Sequence, residues 1–479
     1  MVKNIFLIVL CLCATQLLGQ DKWSLQQCID YALEHNIQIK QSELDAQSAD
    51  INLFGSRMRS LPDMNANVSF NTSKGRSIDP FTNTIIDQGI NSQNASINAS
   101  VPIFNGFEIR NSVKRDQKNL LASTYDLQST QNDVILNVVT FYTNILFNME
   151  LLETAQLRLG TTQSQQNRVD KQVEIGALPM ADLLQIRQQM ANDELEVIRA
   201  ENNLELSKLQ LKQALQIPGD VEFEIEIPTL PEPEEEVLIE NSSQVYLYAL
   251  QNQPVIKAAR ARTESAMYGV GVARSNYFPS LSLNAALSTA YSSAAPDVFP
   301  VLGSENQVIT QQIGFVQLPD DSQYPVFAER EVPSEFTENT YWNQLDFNQR
   351  QFVGLSLNIP IFNKFQVKNN VEQAILTQKN TEYQLINAKN QLQQTIEQAY
   401  LDVKSAAKAY SALENSLEAA QLSFDNAEQR LQLGATDAVE YTQIKNDYER
   451  VRSDLVRAKY DYIFKLKVLD FYQGKPLNF

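Results

Sequence analysis

A mostly α-helical chain of long antiparallel helical hairpins, carrying four β-strands that form part of a membrane barrel, is the fold class this sequence predicts. Three observations predict it. One unit of sequence is used twice. Each unit holds an apolar heptad pattern far longer than a globular helix, and each holds strands that alternate between apolar residues and Asn or Ser.

The duplication is carried by fixed offsets. Tyr31-Ala32-Leu33 recurs as Tyr248-Ala249-Leu250, an offset of 217 that holds without a gap to Leu61-Pro62 against Phe278-Pro279. Val101-Pro102-Ile103-Phe104-Asn105 recurs as Ile359-Pro360-Ile361-Phe362-Asn363, an offset of 258 that persists to Ile175-Gly176-Ala177 against Leu433-Gly434-Ala435. The offset therefore grows by 41 residues, all between Pro279 and Pro360. The expected organisation is a first repeat over 20–217, an acidic Pro-rich linker over 218–237, a second repeat over 238–474 with an enlarged loop at about 292–350, and a tail over 475–479.

Residues 1–19 have the pattern of a secretory signal: Lys3, an apolar stretch from Ile5 to Cys13, and Leu17-Leu18-Gly19 as a cleavage site. Cleavage would leave Cys28 as the one cysteine, at a core position of a helical pattern formed with Leu25, Ile29, Ala32 and Leu33. The single histidine, His35, ends that pattern, too little for most zinc or Ser-His-Asp chemistry. With no Gly-rich phosphate loop and acids spread along solvated helix faces, neither an enzyme nor a cofactor is expected. A net charge of −18 speaks against nucleic-acid binding. After residue 19 no apolar run approaches the ~20 residues of a spanning helix, so membrane contact is expected from closed β-structure or from the surface.

Within each unit the order is helix, strand, loop, strand, long helix, tight turn, helix. Helices of about 38 residues are expected near 24–61 and 180–216. Ala66, Val68 and Phe70 alternate with Asn65, Asn67 and Ser69; Ala95, Ile97 and Ala99 alternate with Asn94, Ser96 and Asn98. The second unit gives Leu281, Leu283 and Ala285 against Ser282 and Asn284, then Val353, Leu355 and Leu357 against Ser356 and Asn358. Such strands suit a barrel wall with lipid on one face and water on the other. Four strands cannot close a barrel and lipid tolerates no open edge, so several chains are expected to share one. Pro62, Pro102, Pro279 and Pro360 mark the helix-strand junctions, since proline disfavours helix in the residue before it. The long helix runs from near Asn105 to Ile175, roughly 70 residues or ~105 Å. Leu127, Val134, Val138, Phe141 and Ile145, repeated as Leu385, Leu392, Ile396, Ala399 and Val403, give it coiled-coil spacing. The linker, with Pro231-Glu232-Pro233-Glu234-Glu235-Glu236, shows no packing signal, and residues 292–350 read as a long loop outside the barrel.

The Leu61-Pro62 and Phe278-Pro279-Ser280-Leu281 elements, the Val/Ile-Pro-Ile-Phe-Asn elements and the tip glycines Gly176 and Gly434 resemble the TolC-type outer membrane efflux protein family over nearly the whole mature chain. The resemblance implies a homotrimer with a twelve-stranded barrel in outer-membrane lipid and a helical tunnel in the periplasm. It implies a passive exit duct for efflux or type I secretion, reached by a periplasmic adaptor and a proton-driven or ATP-driven inner-membrane pump. It also implies a constriction at the tunnel tip, at Asp182 and Glu440, six residues after each tip glycine. One turn further on stand Gln185 and Gln443, where familiar members carry another acid in the second copy. The turns Gly176-Ala177-Leu178 and Gly434-Ala435-Thr436 resemble adaptor-docking tips. An exported coiled-coil scaffold or adhesin is the competing reading, but it leaves the Asn/Ser strands unexplained.

Overall fold

The computed structural model describes residues 22–78, 85–87, 89–228, 241–301, 304–319, 322–433, 435–436 and 438–475. The signal expected over 1–19, the linker beyond Pro228, Gly434 and the last four residues lie outside them. Contacts divide the chain into a helical unit (1–53, 114–268 and 374–479) and a second unit (54–113 and 269–373) that holds the sheets.

The chain opens with α1 (Leu25–His35) and α2 (Ile37–Met58), and the second copy matches them with α5 (Ser242–Asn252) and α6 (Pro254–Ser275). The single helix expected over 24–61 is thus broken at Asn36, whose ψ of 130° is extended. Its side chain takes over the local hydrogen bonding, accepting from the Gln38 amide at 2.8 Å and donating to the Ala214 carbonyl at 3.2 Å. In the second copy Gln253 breaks at the same place because Pro254 follows it. Ser24 caps α1 through a reciprocal box with Gln27.

The long helices are α3 (Glu108–Glu174) and α8 (Gln366–Gln432), 67 residues each and displaced by 258 at both ends. Each turns back into a shorter helix, α4 (Met180–Ala214) and α9 (Ala438–Gln473). The core of the helical unit is two clusters with matching positions. Cys28, Ala32, Ile39, Val138 and Ile145 are buried in one, and Val245, Ala249, Ile256, Ile396 and Val403 in the other. The heptad positions therefore point inward, and Cys28 occupies the place that Val245 fills in the second copy. Against expectation, α3 does contain an 18-residue window long and apolar enough to cross a membrane. Its apolar residues Val134, Val138, Val139, Tyr142, Ile145 and Leu146 pack into the first cluster, so the excess hydropathy belongs to a helix with a wide buried face.

Two further expectations are corrected. The linker is not solvated throughout: Phe223 and Ile225 are buried in the first cluster, and Trp23 forms a parallel bridge to Ile225. The buried Tyr142 hydroxyl donates to the Glu226 carbonyl at 2.6 Å and the Trp23 carbonyl at 3.2 Å, and Lys212 Nζ donates to the Gly219 carbonyl at 2.6 Å. Alternation over Phe223-Glu224-Ile225 was the overlooked signal, masked by surrounding glutamates. The residues at 292–350 are likewise not a loop. They form β6 (Val298–Pro300) paired with β9 (Phe336–Glu338), a hairpin of β7 (Asn306–Gln317) and β8 (Gln323–Pro333), and the helix α7 (Tyr341–Phe347), capped by Thr340.

The sheet has β1 (Asp63–Ser73), β4 (Ile90–Asn105), β5 (Ser280–Ser292) and β10 (Arg350–Asn358) in that order, all antiparallel. Beside it, β2 (Arg76–Ile78) and β3 (Ile85–Asp87) make a small hairpin. The junction from β4 to α3 passes through Gly106 and Phe107, both at positive φ, and its counterpart through Lys364 and Phe365, also positive. At Gly106 a Cβ would lie 2.8 Å from that of Phe278, so only glycine fits.

Burial pushes the Cys28 thiol up to about 12, which removes the reactive thiolate. Native protein exposed to a maleimide near pH ~8 is expected to leave Cys28 unmodified, and denatured protein to react there fully. Mass spectrometry of the Cys28 peptide reads the difference.

Candidate channel wall and tunnel tip

Register decides which side chains share a face of the four-stranded sheet. Met64, Ala99, Ala285 and Val353 form one row across all four strands, and Ala66, Ile97 and Leu287 belong to the next row on that face. On the opposite face Asn65 pairs Asn98, Asn67 pairs Ser96, and Ser100 pairs Asn284. There the polar groups partly satisfy one another: Ser100 Oγ donates to Asn284 Oδ1 at 2.9 Å, and Asn284 Nδ2 to Ser282 Oγ at 3.3 Å. The apolar face is open, with Val353 74% and Leu355 66% exposed. A soluble sheet would bury this face and solvate the other; here, among the described residues, α7 meets it only at the end of Gln93, Thr289 and Tyr291, where Tyr291 packs on Tyr341 at 5.0 Å, and the rest is left open, which suits hydrocarbon.

Pro102 sits at a bulge of β4, a place where a strand tolerates proline. Pro62 directly precedes β1, Pro279 directly precedes β5, and Pro360 follows β10. At this end of the sheet phenylalanines collect: Phe104 meets Phe107 edge-on at 5.3 Å, and Phe362 meets Phe365 at 5.7 Å. Exposed aromatic residues at one rim of an apolar band match an interfacial girdle.

The α3–α4 turn is closed by Gly176 at φ 75°, with the Ala177 amide donating to the Gln172 carbonyl at 2.8 Å, an arrangement typical of helix C-termini. Val169, Leu183 and Ile186, with Val173 and Leu178, make a small core beneath it. Asp182 lies in the first turn of α4, half-buried, and among the described residues it has no ion-pair partner. Gln185 is half-buried one turn on, and Gln443 is exposed. Glu440 differs from Asp182: Arg430 Nη1 donates to its Oε1 at 3.2 Å and Thr436 Oγ1 donates to its Oε2. Its charge is thus already compensated within its own turn, where Ala435 is exposed and its amide donates to the Arg430 carbonyl at 2.8 Å. The turns are not flanked by small residues alone. Ile175 and Leu433, one residue before each tip glycine and 258 apart, are 78% and 82% exposed.

A buried ionic cluster was missed by reading all acids as solvated. The fully buried Asp193 carboxylate of α4 lies 2.7 Å from Arg158 Nε of α3 and accepts from Gln189 Nε2 at 2.9 Å and from Thr162 Oγ1 at 2.5 Å. Lys445 Nζ of α9 donates to Thr162 Oγ1 at 2.7 Å. Burial pushes the Lys445 ammonium down against the pull of Asp193 and Glu449, and pushes the Glu449 carboxyl up against Lys445, Arg452 and Arg158. The legible signal was three pairs at four-residue spacing: Arg158/Thr162, Gln189/Asp193 and Lys445/Glu449. Asp193→Ala would strand two cations, so a loss of about 3–5 kcal/mol is expected. The exposed Asp447→Ala should stay within about 0.5 kcal/mol of the parent. Denaturant titration of both variants measures the contrast.

The family described as outer membrane efflux protein matches residues 28–215 and 337–474. The chain is 22% identical over 449 residues to outer membrane protein TolC of Escherichia coli (strain K12), covering 92% of this chain and 80% of that one. Among solved structures, CusC superposes with a TM-score of 0.74 at 18% identity and covers 96% of both chains. The Campylobacter jejuni outer membrane channel CmeC gives 0.70 at 19% identity, over 94% of this chain and 85% of that one.

Proposed function

Because this chain belongs to the outer membrane efflux protein family, we propose that its place in the outer membrane is that of one subunit of a homotrimeric, passive exit duct. Each subunit contributes β1, β4, β5 and β10 to a twelve-stranded barrel, and the helical hairpins of the two repeats form a periplasmic tunnel. One observation carries this reading. Among the described residues, the four-stranded sheet has a largely uncovered apolar face, an Asn/Ser face and two unpaired outer strands, β1 and β10. In a bilayer those edges require partners, and β10 of one copy against β1 of the next supplies them. The duct does no chemistry; an inner-membrane pump, proton-driven or ATP-driven, provides the energy through a periplasmic adaptor, and the duct belongs to a tripartite efflux or type I secretion system.

The tunnel closes near Asp182. Related by threefold symmetry, three Asp182 carboxylates form a ring of negative charge that attracts cations. Glu440 contributes less, since Arg430 offsets its charge. Purified protein is expected to run as heat-resistant trimers and to conduct in planar bilayers with cation preference. Asp182→Asn should reduce that preference, and adding Glu440→Gln should reduce it little further. Unchanged conductance and selectivity in the double variant would remove the gate assignment.

The adaptor docks at the two tips, Gly176-Ala177-Leu178 and Gly434-Ala435-Thr436, with Ile175 and Leu433 as the exposed apolar knobs that a helical hairpin partner covers. Gly176→Trp with Gly434→Trp is expected to abolish export in cells while trimer yield stays normal. Normal export by that double variant would exclude docking at these turns.

A further inference from the structure

The Asn/Ser face of the sheet also carries Ile90, Ala286 and Ala290, and on β10 it carries an aromatic ring. Phe352 of β10 pairs Ala286 of β5, which pairs Asn98 of β4, which pairs Asn65 of β1, so the ring lies on the polar face. A second observation agrees. A Cβ on Gly354 would lie 2.6 Å from Phe352 Cζ, so the ring is laid along the strand over Gly354 on that same face. The side chain is nevertheless 59% exposed. Arg350, paired with Ser288, is the next residue on the face, and it has no ion-pair partner among the described residues.

The duplication shows what changed. The first hairpin pairs Ser69 with Asn94, and the second pairs Ala286 with Phe352, under the same offsets of 217 and 258 that relate the repeats. Hence Ser92, Asn94 and Ser96 of β4 correspond to Arg350, Phe352 and Gly354 of β10. Beyond them the pattern returns, with Asn98 against Ser356 and Ser100 against Asn358. The gain of a ring coincides with the loss of the Cβ beneath it, as accommodation of the ring requires. A cation, an aromatic face and the cleared space thus stand together on a polar wall whose other charged residue among the described strands is Asp63, at the start of β1 in the row of Gly354.

We propose that Phe352 and Arg350 form a contact collar in the barrel lumen that engages amphiphilic anions passing through the duct. The proposal rests on the trimeric-duct reading, in which the Asn/Ser face lines the lumen and each subunit contributes one ring and one guanidinium. The ring offers apolar and π contact to a rigid hydrocarbon body, and the guanidinium pairs a carboxylate or sulfonate. Lumen-facing substitutions of this kind tune selectivity without disturbing the lipid face.

The experiment measures single-channel conductance of the full-length trimer in planar bilayers, with cholate as the probe. Wild-type current is expected to be blocked by cholate. Phe352→Ala should raise the half-blocking concentration about fivefold or more and enlarge the open conductance. Arg350→Gln should weaken block and leave the potassium chloride conductance nearly unchanged. Gly354→Ala lifts the ring off the wall and should narrow the pore, the opposite sign to Phe352→Ala. If Phe352→Ala fails to assemble, Asn94→Phe with Ser96→Gly, which copies the motif into the first repeat, should strengthen block. Shielding of an edge glycine by a ring is a purely structural role. It would leave cholate block the same in wild type and in heat-resistant trimers of the variants, and that result overturns the collar. Wild-type trimers that do not conduct at all would instead overturn the duct reading, and the collar with it.

Discussion

Along the outer strands β1 and β10 the backbone groups that face away from the sheet have no strand to pair with among the described residues, and a hydrocarbon layer supplies no substitute for water. That shortage governs the architecture. A sheet of only four strands cannot curl upon itself, and the assembly proposed above answers that need. The apolar face and the Asn/Ser face then acquire fixed meanings, lipid outside and water within. The aromatic rim around Phe104, Phe107, Phe362 and Phe365 marks where the wall ends and the helices begin.

Duplication solves the packing problem of helices as long as α3 and α8. A lone helix of 67 residues has no core of its own, and the heptad stripe needs partners along its length. The two copies supply them with the same spacing, down to Cys28 standing where Val245 stands and Val138 where Ile396 stands. The copies then diverge in places where packing imposes little. The β7–β8 hairpin grew in only one loop, and the ionic cluster around Asp193 has no twin, since the positions of Lys445 and Glu449 correspond to Arg187 and Ala191. Departures from symmetry fall on polar surfaces and buried polar contacts, while the apolar seams are kept.

Much of the fold was legible because its signals are periodic. Period two located the four wall strands, spacing of three and four located the long helices, and the offsets located the second copy. Segments without a sustained period were misread. Three alternating residues around Ile225 were too few to outweigh the glutamates beside them. The hairpin from Asn306 to Pro333 is interrupted by a bulge at Gln312 and by prolines, which hide its alternation. The break at Asn36 has no proline after it, unlike Gln253, so only its side-chain hydrogen bonds show it.

By itself the sequence determined the elements and their duplication, since proline junctions, heptads and alternating strands act through local sterics and the partition of apolar groups. It also determined which residues stand at the tips. Only the tertiary structure decided what those residues meet. Among the described residues Asp182 has no ion partner while Glu440 is held by Arg430, Asp193 is buried among two cations, and Phe352 lies on the polar face over Gly354. Charges and rings gain their roles from neighbours distant in sequence, and no local spacing specifies the distance between a carboxylate on one helix and a guanidinium on another.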